Sequence, residues 1–443
     1  MEKKIVVIGM GYVGIPCAVL LADVEGFDVT GVQRRSERSG WKIECLNSGK
    51  NPFEGEEPGL SELISRVVKK GNFRVTDDIS VCREADTILI DVQTPTDENR
   101  IPQYISLRQT SAGVGEHMKK GALVIIESTV APGTTQNIVR PILEENSGLK
   151  VGNDFHLAFS YERVMPGKLI EYIVNMPRVV GGIDEKSTEL AVGLYRRIVK
   201  AEITPTGCLT AELAKTVENA YRDVNIAFSN EMALVCENMG VDVFKLREII
   251  NSRHDRHMHL PGAGVGGHCL PKDTWLLRYG LSEYGLENTE TDLIALARRV
   301  NDAMPVHMSR LVERALAEKA REVAGSRVAI LGVSYLEDSD DTRNTPALPL
   351  IAALQSKEAD LIAHDPYVKR FPELTIPLTD SLEQALKGAD CAAIVTKHKP
   401  YYEIDLKWAR KLMHTPVIVD GRNVLSADKV RAAGFLYRGI GKG

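Results

Sequence analysis

The sequence has no Cys-x-x-Cys pair. Its seven cysteines (Cys17, Cys45, Cys82, Cys208, Cys236, Cys269 and Cys391) are scattered and odd in number. That argues against a disulfide framework and predicts a reducing cytoplasm, with each cysteine buried rather than bridged. An excess of one charge is also missing. Lys and Arg number 55 against 60 Asp and Glu, a net charge of -5, so no global basic field points to nucleic acid. Apolar residues make up 44% and charged residues 26%, which excludes a disordered, collagen-like or coiled-coil chain. Nor is there an unbroken apolar run fit to span a bilayer. Ile5 to Ala22 comes nearest, behind Lys3 and Lys4, but Gly9, Gly11 and Gly14 interrupt it and Pro16 would disturb a spanning helix. Ile5-Val6-Val7-Ile8 reads instead as a short buried strand, so no membrane or export role is expected.

At 443 residues the chain predicts two or three domains. Its first half alternates strand candidates (Ile5–Ile8, Asp28–Val32, Thr87–Asp91 and Leu123–Glu127) with helical stretches, the order of a parallel α/β sheet. A long helix is expected over Thr210 to Met239, without Pro or Gly. Leu213, Val217, Ala220, Val224 and Phe228 keep 3–4 spacing along it, so one stripe faces a core or a partner. A further helical stretch runs from Thr291 to Ala320. From Arg327 the alternation restarts: Val328–Leu331 before Gly332 matches Val6–Gly9, and Val417–Asp420 matches Val124–Glu127. The expected fold class is α/β, with two Rossmann-like parallel-sheet domains joined by a central helical domain.

Gly9-Met10-Gly11-Tyr12-Val13-Gly14 follows a strand and opens a helix. In that context Gly9 permits a tight turn, Gly11 leaves room for a pyrophosphate and Gly14 allows helix and strand to pack closely, which predicts dinucleotide binding. The second strand ends without the acidic residue expected for the ribose hydroxyls: Val32 is followed by Gln33, Arg34 and Arg35. Two readings stand side by side. The arginines hold a 2′-phosphate, meaning NADP, or Gln33 bonds the ribose while Arg34 stacks on adenine, meaning NAD.

The segment Pro261 to Asp273 is the richest in chemistry. Gly262, Gly264, Gly266 and Gly267 let its backbone approach a ligand, and Cys269 follows beside His268 and Lys272, two cations expected to favour a thiolate. Cys269 is therefore the candidate nucleophile, and the other six cysteines are expected to be inert. His254, His257, His259 and His268 lie nearby, but their spacing fits no standard zinc pattern, so no metal is expected. Lys215 and Asn219 share a helix face, as either a solvated pair or part of a site. Glu127-Ser128-Thr129 ends a strand, where α/β ligands bind, and Ser160-Tyr161-Glu162-Arg163 follows another apolar stretch. A dinucleotide site with a cysteine nucleophile suggests oxidation of an alcohol through a thioester.

These residues bring a family into view. The chain resembles the nucleotide-sugar 6-dehydrogenases (UDP-glucose, UDP-N-acetylhexosamine and GDP-mannose dehydrogenases). The resemblance rests on GMGYVG at 9–14, TPT at 94–96, STVAPGTT at 128–135, YERVMPG at 161–167, AELAKTVENAYR at 211–222, GVGGHCLPKD at 264–273 and DSDDTRNTP at 338–346. It implies two NAD-dependent oxidations of the sugar C6 alcohol to a carboxylate, in a cytoplasmic homodimer or higher homo-oligomer built through the long helix. It implies Cys269 as nucleophile, Lys215, Asn219 and Asp273 as holders of oxyanion and water, Glu162 in thioester hydrolysis and Thr129 near the nicotinamide. Implied cofactor contacts are Gly9, Gly11, Tyr12, Val13, Gly14, Gln33, Arg34, Thr94, Thr129, His268, Lys272 and Arg343. Implied substrate contacts are Glu162, Arg163, Lys215, Asn219, Arg253, Arg256, Gly262, Gly266 and Arg422. The domains follow as 1–205 for NAD, 206–305 for the helical and dimerising middle and 306–443 for the nucleotide-sugar.

The chain departs from the family pattern at Gln33, at Leu336, where many members carry a lysine, and in a cysteine loop of mixed type. PGxGVGGHC and YERVMPG resemble the N-acetylhexosamine enzymes, whereas LPKD resembles the UDP-glucose and GDP-mannose enzymes. The expected substrate is a UDP-N-acetylhexosamine, with UDP-glucose the alternative. A Rossmann protein that only binds NAD is the alternative from another class.

Overall fold

The computed structural model describes residues 3–37, 39–53, 55–282, 284–286 and 289–443. The chain forms two compact units, one of residues 1–218 with 275–289 and one of 219–274 with 290–443. Two of the three boundaries fall inside the helices Cys208–Met239 and Leu270–Ser282, and the third lies between Leu270–Ser282 and the helix Asp292–Ala317.

In the first unit, eight strands form one sheet: β1 (Lys3–Ile8), β2 (Phe27–Val32), β3 (Phe73–Thr76), β4 (Thr87–Ile90), β5 (Leu123–Ile126), β6 (His156–Phe159), β7 (Arg178–Gly182) and β8 (Ile203–Gly207). Their spatial order is 3-2-1-4-5-6-7-8, the first six in the doubly wound order. Successive residues of β1 serve opposite faces. Ile5 and Val7 join one apolar cluster with Ile15, Val19 and Leu60, whereas Val6 and Ile8 join another with Ile88, Leu107 and Val139. A parallel sheet covered on both sides needs apolar residues at every position, and that is why the run Ile5–Ile8 does not alternate.

The pairing of β6 with β7 is antiparallel, Ala158 opposite Gly182 and Phe159 opposite Gly181. The sequence reading did not anticipate this reversal. It brings the start of β7 to the edge where β4, β5 and β6 end. In an α/β sheet that is the ligand-binding edge.

In the second unit, six strands form a parallel sheet: β9 (Arg327–Leu331), β10 (Asp360–His364), β11 (Leu378–Thr379), β12 (Cys391–Ile394), β13 (Val417–Asp420) and β14 (Leu436–Gly439). The order 11-10-9-12-13-14 repeats the doubly wound pattern, as the restart at Arg327 predicts. Val328 and Ile330 face one cluster, Ala329 and Leu331 the other.

The long helix spans Cys208–Met239 and a second spans Asp292–Ala317, close to the expected ranges. Val217 and Phe228 are 47% and 51% exposed, so the core reading of their stripe is wrong there and the partner reading remains. Periodicity alone does not say what covers an apolar stripe.

Candidate active site

The turn after β1 fits a dinucleotide. Gly9 has φ +108°, and a Cβ there would lie 2.3 Å from the Asp91 carbonyl oxygen. A Cβ on Gly14 would lie 2.0 Å from the Gly9 oxygen. One on Gly11 would meet nothing within 4 Å, so the space above the turn is open. The helix Gly14–Asp23 that starts after Val13 has no side-chain cap and no acidic residue in its first turn, which leaves its positive end to an anion. Tyr12 stacks on Phe53 with ring centroids 4.4 Å apart.

Gln33 Oε1 accepts the Met10 N–H at 3.1 Å and its Nε2 donates to Ser39 Oγ at 3.1 Å. The glutamine thus tethers the glycine turn to the segment after β2. Arg34 is exposed. Arg35 is held by Asp77 and Glu44, each at 3.0 Å, which leaves it poorly placed to serve a 2′-phosphate.

At the ends of β4 and β5 the backbone is pinned by side chains. Thr94 Oγ1 donates to the Thr129 carbonyl at 2.6 Å. Glu212, on the long helix, accepts the N–H groups of Gly133 at 2.6 Å and Thr135 at 2.9 Å. Burial pushes its carboxyl up to about 7, against the pull of those donors. Three residues on, Lys215 is buried and donates Nζ to the Glu162 carbonyl at 2.9 Å. That excludes the solvated-surface reading for Lys215. Glu162 is also buried, its Oε1 bonded to Arg178. Arg163 turns to Glu218 and the Tyr161 hydroxyl, 2.9 Å from each.

In the second unit, Cys269 opens the helix Leu270–Ser282, and its carbonyl accepts the N–H groups of Lys272 at 3.0 Å and Asp273 at 2.8 Å. Cys269 is exposed, whereas Cys17, Cys82, Cys208, Cys236 and Cys391 are buried and Cys45 is half-buried. Burial pushes the Cys82 thiol up to about 12 and those of Cys17, Cys208 and Cys391 well above their ordinary value. Exposure and a helix start thus single out Cys269. One expectation fails. Burial, with Lys272 and Arg343 nearby, lowers His268 to about 4, so at neutral pH its ring carries no charge.

Lys272 is buried, 3.2 Å from Asp273 Oδ1, and Asn219 Nδ2 donates to Asp273 Oδ2 at 2.6 Å. The glycine loop packs without side-chain room. A Cβ on Gly266 would lie 2.5 Å from Tyr335 Cβ, and one on Gly262 2.5 Å from an Arg422 guanidinium nitrogen. Arg422 donates to the Val395 carbonyl at 3.0 Å and the Gly264 carbonyl at 3.2 Å. Arg343 bonds Asp341 at 2.8 Å, and its carbonyl accepts Gly267 N–H at 2.9 Å. Arg253 and Arg256 are exposed and both pair with Asp255. Leu336 is half-buried, its carbonyl taken by Ser334 Oγ, and the neighbouring Glu337 pairs with Lys397 at 3.2 Å.

Three domains of one family match in sequence order: the NAD binding domain over residues 3–199, the central domain over 209–303 and the UDP binding domain over 329–427. The chain belongs to the UDP-glucose/GDP-mannose dehydrogenase family. It is 39% identical over 442 residues to the UDP-N-acetyl-D-mannosamine dehydrogenase of Pyrococcus horikoshii, covering 99% of each chain. It is 34% identical to the UDP-N-acetyl-D-mannosamine dehydrogenase of Campylobacter jejuni, covering 91% of this chain and 97% of that one. The crystal structure of NDP-N-acetyl-D-galactosaminuronic acid dehydrogenase from Methanosarcina mazei Go1 superposes with TM-score 0.89 at 43% identity, covering 100% of this chain and 95% of that one. As a family member the protein is an NAD-dependent nucleotide-sugar dehydrogenase. Among the described residues no helix is long and apolar enough to cross a membrane.

Two residues prominent in this family member's site escaped the sequence reading. Glu212 lies inside the AELAK motif, but nothing in the spacing shows which loop it caps. Arg178 stands in no motif singled out, and its partners lie 16 and 51 residues away.

Proposed function

We propose that this protein oxidises the C6 alcohol of a UDP-N-acetylhexosamine to the uronate, with UDP-N-acetyl-D-mannosamine the favoured substrate, supplying a precursor for polysaccharide or glycan synthesis. NAD, when bound, would accept a hydride from C6 in each of the two oxidations, the C6 hydroxyl proton of the first passing to water. The Cys269 thiolate adds to the C6 aldehyde, forming a C–S bond and an oxyanion. The Lys215 ammonium and the Asn219 amide offer donors to that charge, and Asp273 orients the amide. After the second oxidation a thioester joins the sugar to Cys269. A water held by Asp273 and Thr129 attacks its carbonyl and gives a proton to Glu162. The C–S bond then breaks, sulfur leaves as thiolate, and the carboxylic acid released gives its proton to solvent and departs as a carboxylate.

The observation that carries this reading is the exposed Cys269 at a helix start, with Asp273 one turn on and bonded to Asn219. Among the cofactor contacts, the glycine turn, Tyr12, Val13, Gln33, Arg34, Thr94, Thr129, His268, Lys272 and Arg343 belong to it. Glu162, Arg163, Arg253, Arg256, Gly262, Gly266 and Arg422 belong to it as substrate contacts, in domains 1–205, 206–305 and 306–443. Exposed Val217, Tyr221, Phe228, Val235 and Met239 on the long helix support a homodimer through that helix, and seven free cysteines support a cytoplasmic location.

The test is NADH formation by the purified protein with UDP-N-acetylmannosamine, UDP-N-acetylglucosamine, UDP-N-acetylgalactosamine and UDP-glucose. The expected result is two NADH per sugar and the highest kcat/KM for the manno sugar. The name of the Methanosarcina relative favours the galacto epimer as a second reading. A best rate with UDP-glucose would overturn the N-acetyl assignment, and no turnover with any sugar would leave a protein that only binds NAD.

A further inference from the structure

Arg178 begins β7 and is 3% exposed, yet it is bonded on every side of its guanidinium. Nε donates to Ser160 Oγ at 2.8 Å, one terminal nitrogen to Glu162 Oε1 and the other to Glu127 Oε1. The ring of Tyr195 lies 3.5 Å beneath the guanidinium, and the Tyr195 hydroxyl donates to the same Glu127 oxygen at 2.5 Å. The reversal of β7 makes this possible, because it sets Arg178 beside the ends of β5 and β6. A buried arginine is costly to desolvate unless its donors are met. Here burial works against its charge, and Tyr195 and Glu127 outweigh it, holding Arg178 above its ordinary value.

Arg178 takes one oxygen of Glu162. The other, Oε2, receives no hydrogen bond among the described residues. The carboxylate is thus tethered at one end and free at the other, the arrangement a base needs to take a proton in a fixed direction.

We propose that Arg178 is a positioning residue for thioester hydrolysis, fixing Glu162 as an oriented carboxylate while Glu127 and Tyr195 hold Arg178 in place. The inference rests on the reading of Glu162 as the hydrolytic base. The other titratable or charged groups around this cluster are Asp91 from the end of β4, Cys17 from the helix Gly14–Asp23 and Lys215 from the long helix. Burial, with Glu127 alongside, pushes the Asp91 carboxyl well above its ordinary range.

The test compares Glu162→Gln, Arg178→Lys, Arg178→Met and Tyr195→Phe with the parent. Each is given NAD and UDP-N-acetylmannosamine, or whichever panel sugar turns over. The rate of the first hydride transfer and the mass of the sugar adduct on Cys269 are followed across pH. A lysine keeps the charge, but its donors share one nitrogen and lack the planar fork whose three separate nitrogens reach Ser160, Glu162 and Glu127. Arg178→Lys is expected to leave the first hydride within about twofold, slow adduct hydrolysis about tenfold or more and accumulate the adduct as Glu162→Gln does. Its acid limb of hydrolysis moves to higher pH, and Tyr195→Phe follows in the same direction with a smaller effect. A merely structural role would lower both steps together and leave the pH profile in place. If Arg178→Met does not fold, Arg178→Lys and Tyr195→Phe decide. An adduct with Glu162→Gln but parental hydrolysis and pH profile in Arg178→Lys overturns the positioning role alone. No adduct and parental hydrolysis with Glu162→Gln overturns the base and, with it, this inference.

Discussion

Asn219 donates its side-chain amide to Asp273 Oδ2 at 2.6 Å, and Asp273 in turn gives its backbone N–H to the Cys269 carbonyl at 2.8 Å. The amide of the long helix is therefore oriented by a carboxylate one turn into the helix that Cys269 opens. A donor fixed in this way loses little on reorganisation when charge develops nearby, which is what a preorganised oxyanion site requires.

Lys215→Ala and Asn219→Ala are each expected to lower kcat by about 10²–10³-fold, the cost of one oxyanion donor. The double variant should lose less than the product of the two, since both act on one charge. KM should move far less than kcat. Steady-state kinetics of the three variants checks this, and near-parental kcat in both single variants would return the roles to Asp273 and Thr129.

Cys269→Ala should form no uronate and still bind the UDP-sugar, as measured by calorimetry. No second exposed thiol can replace it, because the other six are buried or half-buried. Uronate production by this variant would remove the thioester from the mechanism.

Glu212 gives a pH signature in stability. Its folded carboxyl titrates at about 7, above the ordinary value of 4.5. The folded state therefore binds the proton more tightly than the unfolded state. The resulting stabilisation is full below about 4.5 and is lost as pH rises through 7. Glu212→Gln should lack this contribution, so the Tm of the parent relative to the variant should fall as pH rises from about 4.5 to about 7 and then level off. A constant Tm difference across that range would contradict it.

Phe228 is 51% exposed within the apolar stripe of the long helix. If the proposed homodimer forms through this stripe, Phe228→Asp should lower the parent's solution mass from that of two chains to that of one in light scattering, while the far-ultraviolet circular dichroism stays unchanged. A parental mass would put the homo-oligomer contact elsewhere.

Both sheets were legible wherever function depended on local pattern. Ile5–Ile8 before a glycine turn, its echo at Val328–Leu331 and the unbroken helix around Lys215 all write themselves into neighbouring residues. The reversal of β7 did not, since β6 is only four residues long and Gly181 and Gly182 weaken the strand signal of β7. His268 was misread because its charge is decided by burial, which no run of residues reports. Arg178 was missed for a related reason: a lone arginine looks solvated until the sheet brings Glu127 and Glu162 to it. Gln33 lay at the expected place, but its link to Met10 arises only once the glycine turn has closed.

Arg35 already has the charge that a phosphorylated cofactor would want, but Asp77 and Glu44 hold it. Exposed ion pairs of this kind add little to stability, about 0–1 kcal/mol each. Retuning this enzyme toward NADP is therefore a matter of subtraction. Neutralising two surface acids would release a guanidinium beside the adenosine end of the turn, without importing a new one. Asp77→Asn combined with Glu44→Gln is therefore expected to raise kcat/KM with NADP relative to NAD, with the glycine turn, Cys269 and Arg178 left as they are.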